Sequence, residues 1–252
     1  ISEEVDTALL NTIKTIPAEV VEFHVAPEVS PSSGLPYHEW FIEFNVPPKK
    51  LSFFVAKNIW AYSICIISGC KVQIKGLEHH SNFNQPVIFC ANHLSNFDIV
   101  ALYIAINRPI YFIAKKELSK IPFLGWYMKL SGMIFIDRSN REKAMQSMRE
   151  AGKSIKKGRN IITFPEGTRS KNGKIGNFKK GSFIIAKESE IPIIPTAIIN
   201  SNNINPNNSF LLKKGTIQVV FGQVINNVNE FDSPEKLSIF TKGKIEELYQ
   251  NR

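Results

Sequence analysis

The sequence predicts an α/β protein with a mixed, largely parallel sheet flanked by helices. From residue 86 onward, apolar runs of strand length alternate with helical patterns, and repeated strand–helix units build a sheet with parallel strands and helices on both faces. Polar residues directly follow several of these runs, at the sheet edge where such proteins keep their chemistry. With 252 residues, 43% of them hydrophobic, the chain is long enough to bury a sizeable core.

The first 47 residues predict a fragment of a preceding domain. Ser2 is a candidate N-cap for a helix over 2–16, in which apolar residues recur at helical spacing. Residues 20–25 and 40–46 are predicted strands, separated by a loop rich in Pro, Ser and Gly. One helix and two strands cannot cover both faces of a sheet, so we assign 1–47 to a fragment or extension.

The main domain, 48–252, begins with an apolar and aromatic helix that has two open interpretations. This helix covers about 49–70, and its uncharged run, 59–70, has twelve residues, fewer than the roughly 20 that span a bilayer. Aromatic residues with lysines nearby are typical of a helix that lies in the membrane interface. A core helix packed on the sheet is the alternative.

The elements that follow are defined by their periodicity. Residues 72–76 alternate like an edge strand. The Asn-rich run 200–209 predicts a surface loop, and Ser233 is expected to cap the last helix. The other predicted strands are 86–91, 110–114, 133–136, 160–164, 193–199 and 216–221, and the predicted helices are 97–107, 117–130 (with Pro122 and Gly125 inside it), 140–157, 181–189 and 234–249.

The net charge of +9 is unevenly distributed along the chain. Residues 1–46 carry eight acids and one base, whereas the remaining residues carry thirty bases and fourteen acids. This asymmetry suggests two units with different partners. The basic part favours an anionic surface such as a membrane leaflet, nucleic acid or a phosphorylated substrate. A solvated basic face without a partner is the alternative.

The three cysteines, Cys65, Cys70 and Cys90, all lie in apolar runs. An odd number without framework spacing predicts reduced, packed thiols and a cytosolic location. No cluster of Cys and His has metal-ligand spacing, so the sequence predicts no metal.

The segment 92–98 carries the clearest chemical pattern. It follows strand 86–91 and places His93 and Asp98 at the strand's end. Histidine is a candidate base because its unperturbed pKa is about 6.5, and a nearby carboxylate can orient the ring and stabilise the imidazolium. The alternative is that Asp98 or Ser95 caps the next helix and that His93 is an ordinary turn residue.

Two later strand ends add candidates for the same cleft. Arg138 follows strand 133–136, and Glu166, Gly167 and Arg169 follow strand 160–164. Because loops leaving the same edge of a parallel sheet converge, we expect these residues to lie near the His–Asp pair. Arginine suits bidentate phosphate binding. The cleft therefore predicts a base that acts on a hydroxyl of a phosphate-bearing substrate, with surface ion pairing as the alternative for the arginines.

Taken together and in this order, these short motifs at the strand ends resemble the conserved sequence blocks of the glycerolipid acyltransferase family of the lysophosphatidic acid acyltransferase type. The resemblance covers about residues 50–250. The matching residues are His93 and Asp98 of a His-x4-Asp block, Gly132 and Arg138 of a second block, Glu166 to Arg169 of a Glu-Gly-Thr-Arg block, Pro192 and Pro195 of a Pro-rich block, and the segments 114–118, 122–125 and 178–181 between them.

The resemblance implies that a fatty acyl group moves from a thioester, acyl-CoA or acyl-acyl carrier protein, to the free hydroxyl of 1-acylglycerol-3-phosphate, giving phosphatidic acid. It implies His93 as general base oriented by Asp98, with no cofactor beyond the acyl donor and no metal. No covalent intermediate is needed, so Cys90 is expected to pack rather than to act as a nucleophile. The implied phosphate-binding residues are Arg138, Arg169 and one of Lys115 or Lys116, and the implied acceptor-binding or oxyanion residues are Glu166, Gly167 and Thr168.

The expected partners follow from the same resemblance. They are a membrane phospholipid surface, lysophosphatidic acid or another lysolipid, and acyl-CoA or acyl carrier protein, with no nucleic acid. The expected location is the cytoplasmic face of the inner membrane, peripheral or monotopic. Two alternatives stay open: an O-acyltransferase for another lysolipid such as an acylated amino acid, and a membrane-binding module whose acyltransferase site is inactive.

A second, shorter resemblance concerns the N-terminal fragment. Residues 25–28, Gly34 and 37–44 resemble the C-terminal part of bacterial acyl-adenylating proteins of the GH3 family. The adenylating site of that family would lie upstream, so the resemblance implies no functional residue here. It implies the tail of an amide synthetase joined to a second enzyme.

Overall fold

The chain divides into two compact units, Ile1–Leu51 and Ser52–Arg252. The computed structural model describes residues 22–24, 28–29, 36–37, 41–43, 48–81, 83, 85–137, 140–206 and 211–250. The division falls four residues after the predicted boundary at residue 47.

In the first unit, one of two short antiparallel strand pairs agrees with the predicted strands. β1 (Glu22–His24) pairs with β4 (Phe41–Glu43), within the predicted strands 20–25 and 40–46. β2 (Glu28–Val29) pairs with β3 (Pro36–Tyr37) in the segment that was predicted to be a loop. The predicted helix over 2–16 lies outside the described residues. The resemblance of this unit to acyl-adenylating proteins stays a prediction.

The second unit is built on one seven-stranded sheet. Its strands are β5 (Cys70–Lys75), β6 (Ile88–Ala91), β7 (Ile110–Lys115), β8 (Ile134–Ile136), β9 (Asn160–Thr163), β10 (Ile193–Ile199) and β11 (Gly215–Phe221). All seven correspond to predicted strands, β5 through its alternating pattern and the other six through their apolar runs.

Helices connect most of these strands. They are α1 (Pro48–Phe54), α2 (Tyr62–Ser68), α3 (Glu78–Ser81), α4 (Phe97–Ala105), α5 (Leu124–Leu130), α6 (Arg141–Lys156), α7 (Gly181–Ser189), α8 (Ser201–Ile204) and α9 (Pro234–Gln250). A π-helical segment, Val55–Ala61, joins α1 to α2, and 3₁₀ turns cover Lys116–Lys120 and Val228–Glu230.

The sheet order determines which loops meet. It runs β5-β11-β10-β6-β9-β7-β8. Every neighbouring pair is parallel except β10 and β11, which confirms the predicted mixed, largely parallel sheet. The carboxyl ends of β10, β6, β9, β7 and β8 therefore share one edge. β6 and β9 are neighbours at that edge although about seventy residues separate them.

Two apolar cores cover the two faces of the sheet. Residues of α4 and of the helical stretch 56–65 pack on one face, and residues of α6, α7 and α9 pack on the other. In β6, Phe89 and Ala91 contribute to the first core, and Ile88 and Cys90 contribute to the second. This alternation buries all four residues of the strand, as expected for a central strand between two helix layers.

The helical stretch 48–68 combines the two interpretations left open by the sequence. Ala56, Ala61 and Cys65 are buried against the core, whereas Trp60 and Ile67 and other large apolar side chains are exposed. Among the described helices, Lys50–Ser68 is the one long and apolar enough to cross a membrane, by criteria that a core helix can also meet.

Two predicted elements differ from the structure. Residues 117–130 do not form one helix, because Pro122 separates the 3₁₀ turn Lys116–Lys120 from α5. The Asn-rich run 200–209 is not simply a surface loop: it contains α8, and Ser201, Ile204 and Asn205 are buried. Residues 207–210 lie outside the described part of the chain.

Candidate active site

His93 and Asp98 lie in direct contact at the carboxyl end of β6. His93 Nδ1 is 2.7 Å from Asp98 Oδ2. The histidine side chain is 16% exposed, whereas the aspartate is fully buried. Since a carboxylate accepts hydrogen bonds, the contact places the imidazole proton on Nδ1 and leaves Nε2 as the basic nitrogen. This is the arrangement that a general base oriented by a carboxylate requires.

One oxygen of Asp98, Oδ2, makes all the hydrogen bonds of this side chain to the described residues. Besides His93, Oδ2 accepts the N–H groups of Leu94 at 2.7 Å and of Ser95 at 2.9 Å. Oδ1 has no hydrogen-bond partner among the described residues. Asp98 lies in the first turn of α4, where the helix dipole favours a negative charge. The N–H groups that Asp98 accepts precede α4, so this carboxylate orients the turn and the His93 ring and does not cap the helix.

Ser95 holds the other side of the same turn. Its hydroxyl accepts the N–H of Phe97 at 3.2 Å and donates to the carbonyl of Asn205 at 2.9 Å. Asn205 follows α8, so the loop after β10 supports the turn that carries His93. The sequence did not indicate this contact, because an Asn-rich segment is ordinarily solvated.

Glu166 connects the loop after β9 to His93. Its Oε1 accepts the N–H of His93 at 2.8 Å, and its Oε2 accepts the N–H of Gly176 at 2.8 Å. Burial raises the pKa of this carboxyl, whereas the two N–H groups favour the charged form. Both carboxylate oxygens of Glu166 therefore accept backbone N–H groups, which link the loop after β9 to the main chain of His93.

A second backbone link brings Arg169 to the site. The N–H of Ser170 donates to the carbonyl of His93 at 2.8 Å. Arg169 is therefore one residue away from a direct contact with the main chain of His93. It is half-buried and has no ion pair with any described residue. A guanidinium in this position is available to a phosphate.

Two residues that sequence reasoning missed fix the position of the His93 ring and main chain. Phe164 stacks on the imidazole with ring centroids 4.1 Å apart and an interplanar angle of 17°. The Asn92 side chain donates to the carbonyl of Ile198 at 2.9 Å and accepts its N–H at 2.7 Å. Phe164 ends a predicted strand and Asn92 immediately precedes the histidine, so both were close to the motifs, but neither carries a recognisable charge pattern.

The turn at Gly167 requires glycine, and the side chain of Lys179 packs against it. Gly167 has a φ of 76°, which favours glycine, and a Cβ there would lie 2.7 Å from Lys179 Nζ. The N–H of Gly167 donates to the carbonyl of Phe164 at 3.0 Å, so it is not free for the predicted oxyanion contact. Of the predicted backbone donors, exposed Thr168 remains. Lys179 is a cation at this turn that sequence reasoning did not single out.

The two predicted lysine ligands lie farther along the same edge. Lys115 ends β7, two strands from β6, and its exposed ammonium pairs with Glu117 at 3.4 Å. Lys116 pairs with Asp137 at 3.1 Å. Exposed ion pairs of this kind contribute little stability, so either lysine can exchange its partner for a phosphate. Arg138 lies outside the described residues.

Cys90 does not offer a nucleophile. It is fully buried, and burial raises the pKa of its thiol to about 12. The thiolate, which is the reactive form, is therefore scarce at neutral pH. The three cysteines are buried free thiols, as predicted. Within the described ranges no group of three or more His, Cys, Asp or Glu residues is placed to hold a metal ion.

The site places a histidine–aspartate pair at the carboxyl edge of an α/β sheet. A family model described as Acyltransferase matches residues 71–199, and these residues include the His–Asp pair and the loop after β9. The chain belongs to this acyltransferase family.

Individual relatives agree with the family. The chain is 32% identical over 190 residues to "1-acyl-sn-glycerol-3-phosphate acyltransferase LPAT1, chloroplastic" of Arabidopsis thaliana, covering 75% of this chain and 52% of that protein. It is 30% identical to 1-acyl-sn-glycerol-3-phosphate acyltransferase of Pseudomonas aeruginosa, covering 76% and 74%. The crystal structure of the 1-acyl-sn-glycerophosphate (LPA) acyltransferase PlsC from Thermotoga maritima superposes with a TM-score of 0.68 at 30% identity, covering 79% of this chain and 82% of that one.

The matched lengths differ between relatives. The chain spans about half the length of the plant, algal and yeast relatives it matches. It spans 69% to 74% of the bacterial relatives.

Proposed function

We propose that this chain transfers a fatty acyl group from a thioester to the free hydroxyl of 1-acylglycerol-3-phosphate, giving phosphatidic acid. The observation that carries the proposal is the 2.7 Å contact between His93 Nδ1 and fully buried Asp98. The acyltransferases named above act, by their names, on 1-acyl-sn-glycerol-3-phosphate, which supports this acceptor.

In the first step, His93 Nε2 removes the proton of the acceptor hydroxyl. The hydroxyl oxygen attacks the thioester carbonyl carbon, and Asp98 stabilises the imidazolium that forms. A positioned general base contributes a rate increase of roughly 10²–10⁴. The buried carboxylate keeps the correct tautomer, because its only contacting oxygen faces Nδ1.

In the second step, the tetrahedral intermediate collapses. The carbon–sulfur bond breaks, the new ester remains, and the imidazolium returns its proton to the departing thiolate. The histidine thus ends as it began, and the thiol is the second product. Thr168, at the turn beside Glu166, is the proposed backbone donor for the oxyanion.

Arg169 and one of Lys115 or Lys116 bind the acceptor phosphate in this proposal, together with Arg138. Arg169 is supported by its place next to the main-chain link between Ser170 and His93. The lysines are supported by their exposure at the same sheet edge. Bidentate arginine and point-charge lysine are the usual phosphate ligands.

The donor is acyl-CoA or acyl-acyl carrier protein, and no cofactor or metal is expected beyond it. The exposed bases of α6, which include Lys143, Arg149 and Lys153, offer a face that would suit an acidic carrier protein. We propose a peripheral or monotopic location on the cytoplasmic face of the inner membrane, supported by the exposed apolar side chains of the 48–68 stretch. We expect no nucleic-acid partner.

A product-resolved mass-spectrometry assay in mixed micelles tests the proposal. The protein is offered acyl-CoA and acyl-acyl carrier protein separately, with lysophosphatidic acid, other lysophospholipids and acylated amino acids as acceptors. The variant His93→Ala removes the proposed base. The variant His79→Ala is the matched control, because His79 lies in α3, is one-third exposed and has Glu78 rather than Asp98 as its nearby carboxylate.

Phosphatidic acid formed by the wild type and by His79→Ala, and lost with His93→Ala, is the expected result. An acylated amino-lipid as the only product would contradict the proposed acceptor and support the alternative O-acyltransferase. Binding to lipid without any product would contradict catalysis altogether. Turnover near the wild-type rate with His93→Ala would contradict the assignment of the base.

A further inference from the structure

We infer that the segment Ile121–Leu130, termed the 121–130 segment, inserts its aromatic side chains into an anionic phospholipid surface. It would form a membrane contact separate from the 48–68 helical stretch. The inference does not depend on acyl transfer, because lipid binding can be measured without substrate.

The 121–130 segment exposes an unusual density of large apolar side chains. Phe123 is 78% exposed and Trp126 is 63% exposed, and Ile121, Leu124 and Leu130 are also exposed. The rings of Phe123 and Trp126 touch edge to face with centroids 5.4 Å apart. The segment therefore presents one coherent apolar surface to solvent, and a contiguous surface of this kind marks an interaction site.

The backbone holds this surface in an unfavourable conformation. Phe123 has φ 61° and ψ −57°, and the N–H of Leu124 donates to the carbonyl of Pro122 at 2.7 Å. This is a γ-turn of the rare, strained form, occupied by a bulky residue rather than by glycine. Strain of this kind persists where function selects for it, and here it coincides with the most exposed ring of the segment.

The charges around the 121–130 segment favour an anionic lipid surface over a neutral protein surface. Lys120 precedes it and Lys129 lies within α5, and both are exposed. Neither lysine has an ion pair with a described residue. Basic residues beside exposed aromatic residues suit the headgroup region of an anionic membrane, where each contributes about 1 kcal/mol, or about fivefold in affinity.

Two contacts connect the 121–130 segment rigidly to the rest of the unit. A Cβ at Gly125 would lie 2.4 Å from the carbonyl oxygen of Ser119, so the segment packs tightly on the 3₁₀ turn that follows β7. Tyr127 Oη donates to the carbonyl of Ser52 at 2.9 Å, which joins the segment to the start of the 48–68 stretch. Two exposed apolar surfaces are thus joined, close to the edge that carries His93.

Vesicle flotation with the full chain tests the inference. The vesicles contain either phosphatidylcholine alone or equal parts of phosphatidylcholine and phosphatidylglycerol. We expect the double variant Phe123→Asp/Trp126→Asp to bind the anionic vesicles about a hundredfold more weakly, since burial of each large apolar side chain contributes about tenfold. The variant Ile239→Asp is the matched control, because Ile239 is 72% exposed in α9 and lies outside the segment.

Phe123→Gly separates membrane insertion from a structural role. Glycine relieves the positive φ, so we expect an unchanged or higher unfolding midpoint together with about tenfold weaker vesicle binding. The double variant Lys120→Gln/Lys129→Gln is expected to weaken binding to anionic vesicles only. In an assay with a water-soluble short-chain acceptor, Phe123→Gly should retain turnover if the proposed function is correct. If the proposed function is wrong, neither the wild type nor the variant turns over this acceptor, and the flotation results are unaffected.

Three results would overturn the inference. If Phe123→Asp/Trp126→Asp floats with the anionic vesicles as well as the wild type does, the rings do not enter the lipid. A lower unfolding midpoint of Phe123→Gly with unchanged flotation would show that Phe123 packs within the protein. A lipid-free dimer that dissociates in the double variant, with unchanged flotation, would assign the surface to a second copy of the chain.

Discussion

Replacing Asp98 with Asn removes the charge that faces His93 while it keeps the shape of the side chain. Because Oδ2 makes all the hydrogen bonds of Asp98 to the described residues, the amide oxygen of Asn can take its place and still accept from Leu94 and Ser95. The amide nitrogen then occupies the position of Oδ1, which has no partner among the described residues. The substitution therefore tests charge with little change in geometry.

The structure gives the expected magnitudes. The buried amide nitrogen of Asp98→Asn lacks an acceptor, which costs about 1–3 kcal/mol in the free energy of unfolding. Asp98→Ala leaves two buried N–H groups without an acceptor, which costs about 2–6 kcal/mol. A hydrogen bond to a charged group contributes about 1.5–3 kcal/mol, so Asp98→Asn is expected to slow turnover by about 10- to 150-fold.

Chemical denaturation and the phosphatidic acid assay together measure these effects. The double variant His93→Ala/Asp98→Asn should be no slower than His93→Ala, because the two residues act as one unit. A folded Asp98→Asn protein with turnover close to the wild-type rate would refute the reasoning. So would a double variant whose losses add, since additive losses would mean that Asp98 acts independently of His93.

Three further predictions concern the residues around the base. Since burial raises the pKa of Glu166 above its ordinary value of 4.5, the folded state holds this proton more tightly. As the pH rises from 4.5 through the raised pKa of Glu166, the free energy of unfolding of the wild type should therefore fall relative to that of Glu166→Gln. Chemical denaturation at a series of pH values measures this difference. Gly167→Ala and Gly158→Ala, both at positive φ, should each cost about 1–2 kcal/mol of unfolding free energy. Only Gly167→Ala should also lower turnover, and equal activity of the two variants would contradict a role for that turn. Phe164→Leu should weaken the hold on the His93 ring by about 0.5–1.5 kcal/mol, seen as an up to tenfold lower kcat with unchanged KM, and an unchanged kcat would exclude the stacking contact from catalysis.

Local sequence patterns were sufficient for most of the sheet, because buried strands have a strong and simple signal. β6 is an uninterrupted apolar run, β9 has two isoleucines at its centre, and every residue of both strands is buried. The patterns failed where backbone geometry or distant partners decide. Pro122 ended a predicted helix, and the buried Asn205 is held by Ser95, a residue 110 positions away. Composition alone cannot indicate a partner at that distance.

One contact of the candidate site was predictable from the sequence and others were not. The spacing of His93 and Asp98 on a strand–helix turn was enough to expect their contact. Glu166 was expected among the acceptor-binding or oxyanion residues, and its acceptance of two backbone N–H groups was not foreseen. That arrangement depends on β6 and β9 being neighbours, and sheet order is a long-range property that no local motif encodes.

The sheet order also has a consequence for synthesis on the ribosome. β6 lies between β9 and β10, and both of these strands follow it in the chain by at least 69 residues. At roughly 5–20 residues per second, the four apolar residues of β6 leave the ribosome about 4–14 s before β9 is made. During that interval β6 is an apolar strand without either of its neighbours. The order of strands that assembles the His93 site thus leaves this segment exposed to aggregation during translation, as is general for unpaired apolar strands.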